Sequence, residues 1–479
     1  MKTIKRLTGL LLAALFCCQG MYGAAAEPYS SFTYAYSRGA VESPAPYSVE
    51  RIVDRNDLGT ALIEPRDMFL GDDGYCYIAN TGANTVVVIS PEWELVTEIK
   101  TLVSGQGLED MLKAPEGVFV DRQGVIYIAD TGNRRIVMAD REGTLLGIIP
   151  AVEDEVLNKN GKAYDYQPSK VVVDNTGRVF VLSKNDFEGI LEITPDGGFV
   201  GYVGTNQVQV SPIEKLWRTF YTKEQLKKVA AFLPYEFSNI CLDDKGFIYT
   251  TSSSSSEEKP IKRLNPSGTD VLARWEYNNL PTGTFFIDVC VDDYGNYTAV
   301  DYKTGRIMTY NSDGYLLYGF GQMGNQRGTF KTPSSIETDG ERLLVLDSGN
   351  NNITVFQKTE YSSLIQQAAR QYTENRYQDS LDSWNRVLRL NTNFELAYAQ
   401  IGKIYLRQGD YGEAADYFQR GNYRGSKATQ LGGYNEAIGQ YRKQLIRQYL
   451  GVALTAILVL AAAVCVWKIV RKKRKAGRT

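Results

Sequence analysis

Short apolar runs with period-two alternation, each bounded by Gly, Asp or Pro, return along this chain about every fifty residues. The clearest copy runs from Pro115 to Ile136. Its apolar positions alternate up to Asp121, Gly124 turns the chain, Val125 to Ala129 form a second apolar run, and Thr131-Gly132-Asn133 turns it again. That pattern predicts a small antiparallel sheet, and a repeat of such sheets predicts a radial array of blades, since each unit must stack on its neighbours to bury its faces.

Six entries to a first strand can be read, at Pro65, Pro115, Pro168, Phe237, Phe286 and Pro333. The first hairpin turn recurs as Gly71-Asp72-Asp73-Gly74, Asp121-Arg122-Gln123-Gly124, Asp174-Asn175-Thr176-Gly177, Asp243-Asp244-Lys245-Gly246, Asp292-Asp293-Tyr294-Gly295 and a shortened Asp339-Gly340. Asp bonds the local backbone there and Gly supplies a positive φ. The second turn appears at Thr81-Gly82-Ala83-Asn84, Thr131-Gly132-Asn133, Lys303-Thr304-Gly305-Arg306 and Ser348-Gly349-Asn350, and is lost from units three and four.

The run Ile126-Tyr127-Ile128-Ala129-Asp130-Thr131-Gly132-Asn133-Arg134-Arg135-Ile136, with Val345-Leu346-Asp347-Ser348-Gly349-Asn350, resembles the NHL-repeat family of six-bladed β-propellers. The resemblance covers 47–358 and implies four strands per blade, with Tyr47 to Val53 supplying the last strand of the sixth. Before it, 27–46 reads as an extended lead-in.

After Phe356 the period turns helical. Leu364, Tyr377, Ser380, Trp384 and Val387 are matched 34 residues later by Tyr398, Tyr411, Ala414, Phe418 and Gly421. That offset resembles two tetratricopeptide repeats over 359–425, with 426–448 as a capping, juxtamembrane helix. Tyr398, Tyr405, Tyr411 and Tyr417 either offer an aromatic contact surface or pack internally.

Residues 1–26 read as a secretory signal: Lys2, Lys5 and Arg6, an apolar core to Cys18, and Ala24-Ala25-Ala26 before the cleavage point. Phe16 before Cys17 does not suit a lipoprotein. The nineteen uncharged residues 449–467 would span about 28 Å as a helix, and the basic tail 468–479 assigns the C-terminus to the cytoplasm. The expected product is a single-pass cell-membrane protein, of bacterial envelope type, with the bulk of the chain extracytoplasmic and a tail too short for a signalling output domain.

Charge and composition narrow the chemistry. Three of the 53 basic residues lie in the leader and seven follow Trp467, with no acidic residue in either, so the stretch between sets 43 basic against all 55 acidic residues, a net of −12. Nucleic acid is excluded as a partner. Cys76, Cys241 and Cys290 read as buried apolar residues at equivalent blade positions. The chain has no histidine, which removes serine–histidine and cysteine–histidine catalysis and histidine metal sites. The histidine-ligated metal of amidating-lyase propellers has no counterpart here.

Candidate site residues follow from the propeller. Its first strands line a channel, and their entries bring polar side chains to one face: Asp67, Glu116, Asn239 and Asp288. The set Glu116, Asn239 and Asp288 is similar in residue type to the calcium (Ca2+) site of gluconolactonase-like propellers. The alternative is an ordinary solvated channel that binds no metal or cofactor. Pro168 and Phe237 stand 69 residues apart, and the surplus holds an amphipathic insertion with Trp217 and Phe220, a lid, a docking surface or a channel plug. Asp67, Trp217 and Phe220 form the expected binding face. The leading expectation is a membrane-anchored binding or scaffold protein that recognises envelope or membrane proteins, a glycan or a small molecule. A calcium-dependent lactonase-like hydrolase, acting in the channel, is the alternative.

Overall fold

The computed structural model describes residues 27–35, 39–158, 162–204, 236–252, 260–272, 284–421 and 431–476. The predicted signal, the whole of the long insertion with Trp217 and Phe220, and the start of the predicted cap lie outside them.

Six sheets form a closed ring, a six-bladed propeller. The innermost strand of each blade is Asp67–Leu70, Gly117–Val120, Pro168–Val173, Phe237–Leu242, Phe286–Val291 and Pro333–Thr338 in order, and each contacts the next around the ring. The ring closes as the sequence predicts. Tyr47–Val53 pairs antiparallel with Asn352–Lys358, in the register Ile353 to Val53 and Lys358 to Tyr47, so the sixth blade takes its fourth strand from the start of the domain.

The blades are less uniform than four strands each. The lead-in is not merely extended: Ser31–Ala35 and Gly39–Glu42 form a hairpin that joins Leu316–Phe320 and makes the fifth blade six-stranded. Phe32 drives this, since it is buried against Tyr34 and beneath the Arg306 guanidinium. A second hairpin, Thr101–Ser104 with Glu109–Met111, extends the second blade through a parallel pairing with Thr144–Ile149. The fourth blade has three strands among the described residues.

The core is divided by the same geometry. Apolar clusters fill the gaps between successive blades, because a strand's side chains point to both faces of its sheet. In five blades the residue ending the second strand accepts a backbone N–H from the loop entering the first. Asn80 holds Ile63 (2.6 Å), Asp130 holds Lys113 (2.7 Å), Ser183 holds Gln167 (2.9 Å), Asp301 holds Phe285 (3.1 Å) and Asp347 holds Lys331 (2.8 Å). Ser183 thus does in the third blade, which lacks the second-turn motif, what Asn80 does in the first and aspartate does in the second, fifth and sixth. The cysteines correct an expectation: Cys241 and Cys290 occupy the same place on inner strands, whereas Cys76 begins a second strand. All three are free thiols, and burial pushes each above the ordinary thiol range.

Beyond the propeller lie helices α1 (Glu360–Thr373), α2 (Tyr377–Leu390), α3 (Glu395–Gln408), α4 (Tyr411–Arg420) and α5 (Leu431–Ala476). α3 and α4 approach closely at Gly402, where any Cβ would stand 2.8 Å from the Phe418 ring. The predicted cap, membrane segment and most of the basic tail run as one continuous helix, α5. It is long and apolar enough to cross a membrane, and its apolar stretch is unburied in the chain.

The two parts share one core. Tyr318, Phe320, Ile336 and Phe356 of the fifth and sixth blades pack in a single cluster with Tyr361, Leu364, Trp384, Phe394 and Ile401 of the helices. The junction is hydrogen-bonded where the closing strand begins: Thr359 donates its backbone N–H to Pro46 O (3.0 Å) and its hydroxyl to Ala45 O (2.7 Å).

Candidate functional site

Aligned on their turns, the inner strands place Asp67, Gly117, Lys170, Asn239, Asp288 and Ser335 at one register. Three of these side chains reach across to the next blade and accept the backbone N–H one position further along its inner strand. Asp67 Oδ2 accepts from Val118 (2.9 Å), Asp288 Oδ2 from Ile336 (2.8 Å) and Ser335 Oγ from Met68 (3.2 Å). Ladder pairing uses only one edge of an innermost strand, so its inward N–H groups need such partners. At the second blade Gly117 cannot provide one, and instead lets the strands touch: a Cβ there would lie 2.5 Å from Ser169 O.

Lys170 cannot accept either. Its ammonium, buried in the ring, donates to Asp67 Oδ1, so Asp67 ties the first blade to the second and the third. Burial works against the Lys170 charge, but Asp67 and then Asp288 outweigh it and hold its pKa above the ordinary lysine value. Asp288 has the opposite balance. Burial pushes its carboxyl up to about 6 although Lys170 opposes the shift. Asn239 accepts the N–H of Ile240 (2.7 Å) on its own Oδ1.

Two positions further along, the inner strands carry Phe69, Phe119, Val172, Cys241, Cys290 and Glu337. Phe69 and Phe119 meet edge to face, 5.0 Å between centroids. Glu337 is the one carboxylate of this layer, and burial, then Asp288 and Asp67, hold it well above the ordinary glutamate range.

Both layers border a cavity of about 560 Å³ in the ring centre. It opens among the first hairpin turns, between Asp72, Arg122, Asp244, Asp293 and Gly340, at the end opposite the strand entries. Asp67 and Asn239 line it, as does Lys170. Glu116 belongs to neither layer. It sits one residue before the shared register, at the place of Ser169 and Ser238, and its carboxylate takes the Lys184 ammonium at 2.5 Å. A one-residue offset turns a strand side chain to the other face. Glu116, Asn239 and Asp288 therefore do not form a common ligand set: Asp288 spends one oxygen on Val289 N–H (2.6 Å) and the other on Ile336, and among the described residues no group of three or more acidic or cysteine side chains is placed to hold a metal. Lys170 and Glu337 went unrecognised in the sequence. Register alignment would have found them, as a cation and a carboxylate at positions that other blades fill differently.

The helices flank the same face as the cavity mouth. Arg370 of α1 donates to the Tyr294 hydroxyl (2.8 Å), beside Asp293 on the rim, and Lys403 of α3 lies over the Tyr315 ring. On their far side α2, α3 and α4 border an open groove of about 660 Å³, with Arg386, Arg389, Arg420, Tyr398 and Tyr417 along it. Tyr417 stacks on Tyr405 at 5.4 Å and is tilted against Tyr398 at 6.4 Å, all three half-buried, so these tyrosines pack on one another while two of them also face the groove.

No family model and no curated protein matches the chain. Among solved structures it is similar to virginiamycin B lyase from Staphylococcus aureus, at 13% identity over 65% of this chain and 100% of that one, with a TM-score of 0.41. It is also similar to the extracellular domain of a putative one component system from B. thetaiotaomicron, at 13% identity over 61% of this chain and 33% of that one, TM-score 0.34. A protein of unknown function from Bacteroides caccae matches at 14% identity over 56% of this chain and 80% of that one, also with a TM-score of 0.34.

Asp67→Ala leaves the buried Lys170 ammonium uncompensated and is expected to cost about 3–5 kcal/mol, whereas Asp67→Ala with Lys170→Met should recover most of that loss in denaturant unfolding. Asp288 predicts a pH dependence. Its folded pKa of about 6 exceeds the ordinary 3.8, so between those values the folded chain binds the proton more tightly than the unfolded chain. Its contribution to stability is therefore greatest in acid and declines as pH rises through about 6. The Tm of the parent chain, measured against Asp288→Asn across that window, should fall with rising pH; a flat difference would contradict the buried carboxyl.

Proposed function

We propose that the protein is a membrane-anchored recognition platform, with propeller and helices outside the cytoplasm and α5 as its single span. The carrying observation is that the helices dock on the turn face, beside the mouth of the cavity, through a shared core. Two concave surfaces are thereby held in a fixed relation above one anchor. The basic leader followed by an apolar stretch, and the seven basic residues after Trp467, support that orientation.

The groove on α2 to α4 is the docking surface for a partner protein of the envelope or membrane. Its arginines are spared strong commitments: Arg386 meets Glu360 and Arg420 meets Asp416 in exposed pairs, which contribute little and exchange readily. A hydrolase reading has less to stand on, because Glu116 turns to Lys184 while the side-chain oxygens of Asn239 and Asp288 accept backbone N–H groups.

Affinity purification of the detergent-solubilised chain, compared with Arg389→Glu and Tyr417→Ala, tests this. Arg389→Glu should stay within about 1 kcal/mol of the parent stability, Tyr417→Ala should cost more because that ring packs on Tyr405, and both should lose the same set of co-purifying proteins. An unchanged set would reduce the helices to a stalk.

A further inference from the structure

The cavity on the turn face has a charge and hydrogen-bond pattern that specifies its occupant more narrowly than recognition in general. Eight carboxylates line it against three cationic side chains. Two of those cations are spoken for, Lys170 by Asp67 and Arg122 by Asp244, the latter pair reaching from the second blade's turn to the fourth's. Low-dielectric walls lined by one sign of charge focus the field at the mouth and concentrate ligands of the opposite sign. Glu337 faces this space, and Lys170, which acts on it, is committed to Asp67, so burial and the Asp288 and Asp67 carboxylates still hold the Glu337 pKa well above the ordinary glutamate range, a cost that a ligand cation relieves.

A separate feature points to a ligand that does more than carry charge. Asn239 is 5% exposed, and its Oδ1 is committed to Ile240 N–H. Its side-chain N–H donors have no partner among the described residues, and they border the cavity. These N–H groups are open to the cavity, and a ligand that displaces solvent from them keeps its affinity only if it brings an acceptor of its own. A bare metal ion or a simple amine offers no acceptor, and an anion is repelled by the rim. A peptide segment supplies both, a backbone carbonyl for Asn239 and a cationic side chain for Glu337. At about 560 Å³ the space lies within the range of ligand pockets.

We propose that this cavity receives a lysine- or arginine-bearing segment of a partner protein, with its cation on Glu337 and the acidic rim and a main-chain carbonyl on Asn239. The inference rests on the recognition reading above, but on a different surface from the groove.

The test uses the full chain in detergent and a fluorescein-labelled peptide of alternating lysine and glycine, followed by anisotropy. Binding is expected, weakening as salt rises from about 50 to about 300 mM, while the same peptide with glutamate in place of lysine should not bind. Glu337→Gln should weaken the lysine peptide by about tenfold or more. Asn239→Ala should weaken the peptide while leaving displacement by spermidine, which has charge but no carbonyl, at its parent concentration. Equal binding of the two peptides, no binding of the lysine peptide, or indifference to Glu337→Gln would overturn the proposal. Arg389→Glu, in the groove, should leave peptide binding unchanged. A chain that ignores the lysine peptide yet still loses partner proteins on Arg389→Glu would overturn the cavity inference alone.

Discussion

A ring of separate sheets holds only if its last blade is tied to its first, and the pairing of Tyr47–Val53 with Asn352–Lys358 is the contact on which everything else here depends. It joins the two ends of the propeller sequence and sets the sixth blade against the first through Val53, Met68, Ile78, Leu344 and Ile353. It also brings Ala45 and Pro46 to the position where Thr359 starts the first helix. The helical layer is therefore placed by ring closure itself. Its position beside the cavity mouth, and the direction in which α5 leaves, are consequences of that junction.

The ring centre shows how a repetitive scaffold acquires an individual site. Identical backbone positions in six blades receive different residues, and their differences decide the chemistry. Asp67, Asp288 and Ser335 satisfy neighbouring N–H groups, Gly117 allows close approach, Lys170 supplies a buried charge, and Asn239 keeps a donor free of protein partners among the described residues. Stability and recognition draw on the same side chains, since Asp67 holds three blades together and also lines the pocket.

The six blades, the strand that closes them, the helices and the long apolar segment were legible because each rests on local periodicity or on a turn with obligatory residues. The added hairpins at Ser31 and Thr101 were not. Both depend on long-range pairing to a distant blade, which leaves no periodic trace. The site was half legible: Asp67 and Asn239 do line the cavity, but it opens at the turns rather than the entries. Glu116 was grouped with Asn239 and Asp288 by proximity to an entry, and a single residue of register sends it to Lys184 instead. Glu337 was hidden because a carboxylate in an apolar alternation looks like the polar side of a strand.

If ring closure places the helices, propeller and helical layer must open together. Native-state hydrogen exchange followed by mass spectrometry measures this directly, comparing peptides from 47–53 and 352–358 with those from 360–390. The account predicts that the slowest amides of all three exchange through one opening event with the same free energy, and that this holds across denaturant concentrations. Exchange of α1 and α2 through a separate, lower-energy opening, while the closing strand stays protected, would contradict it.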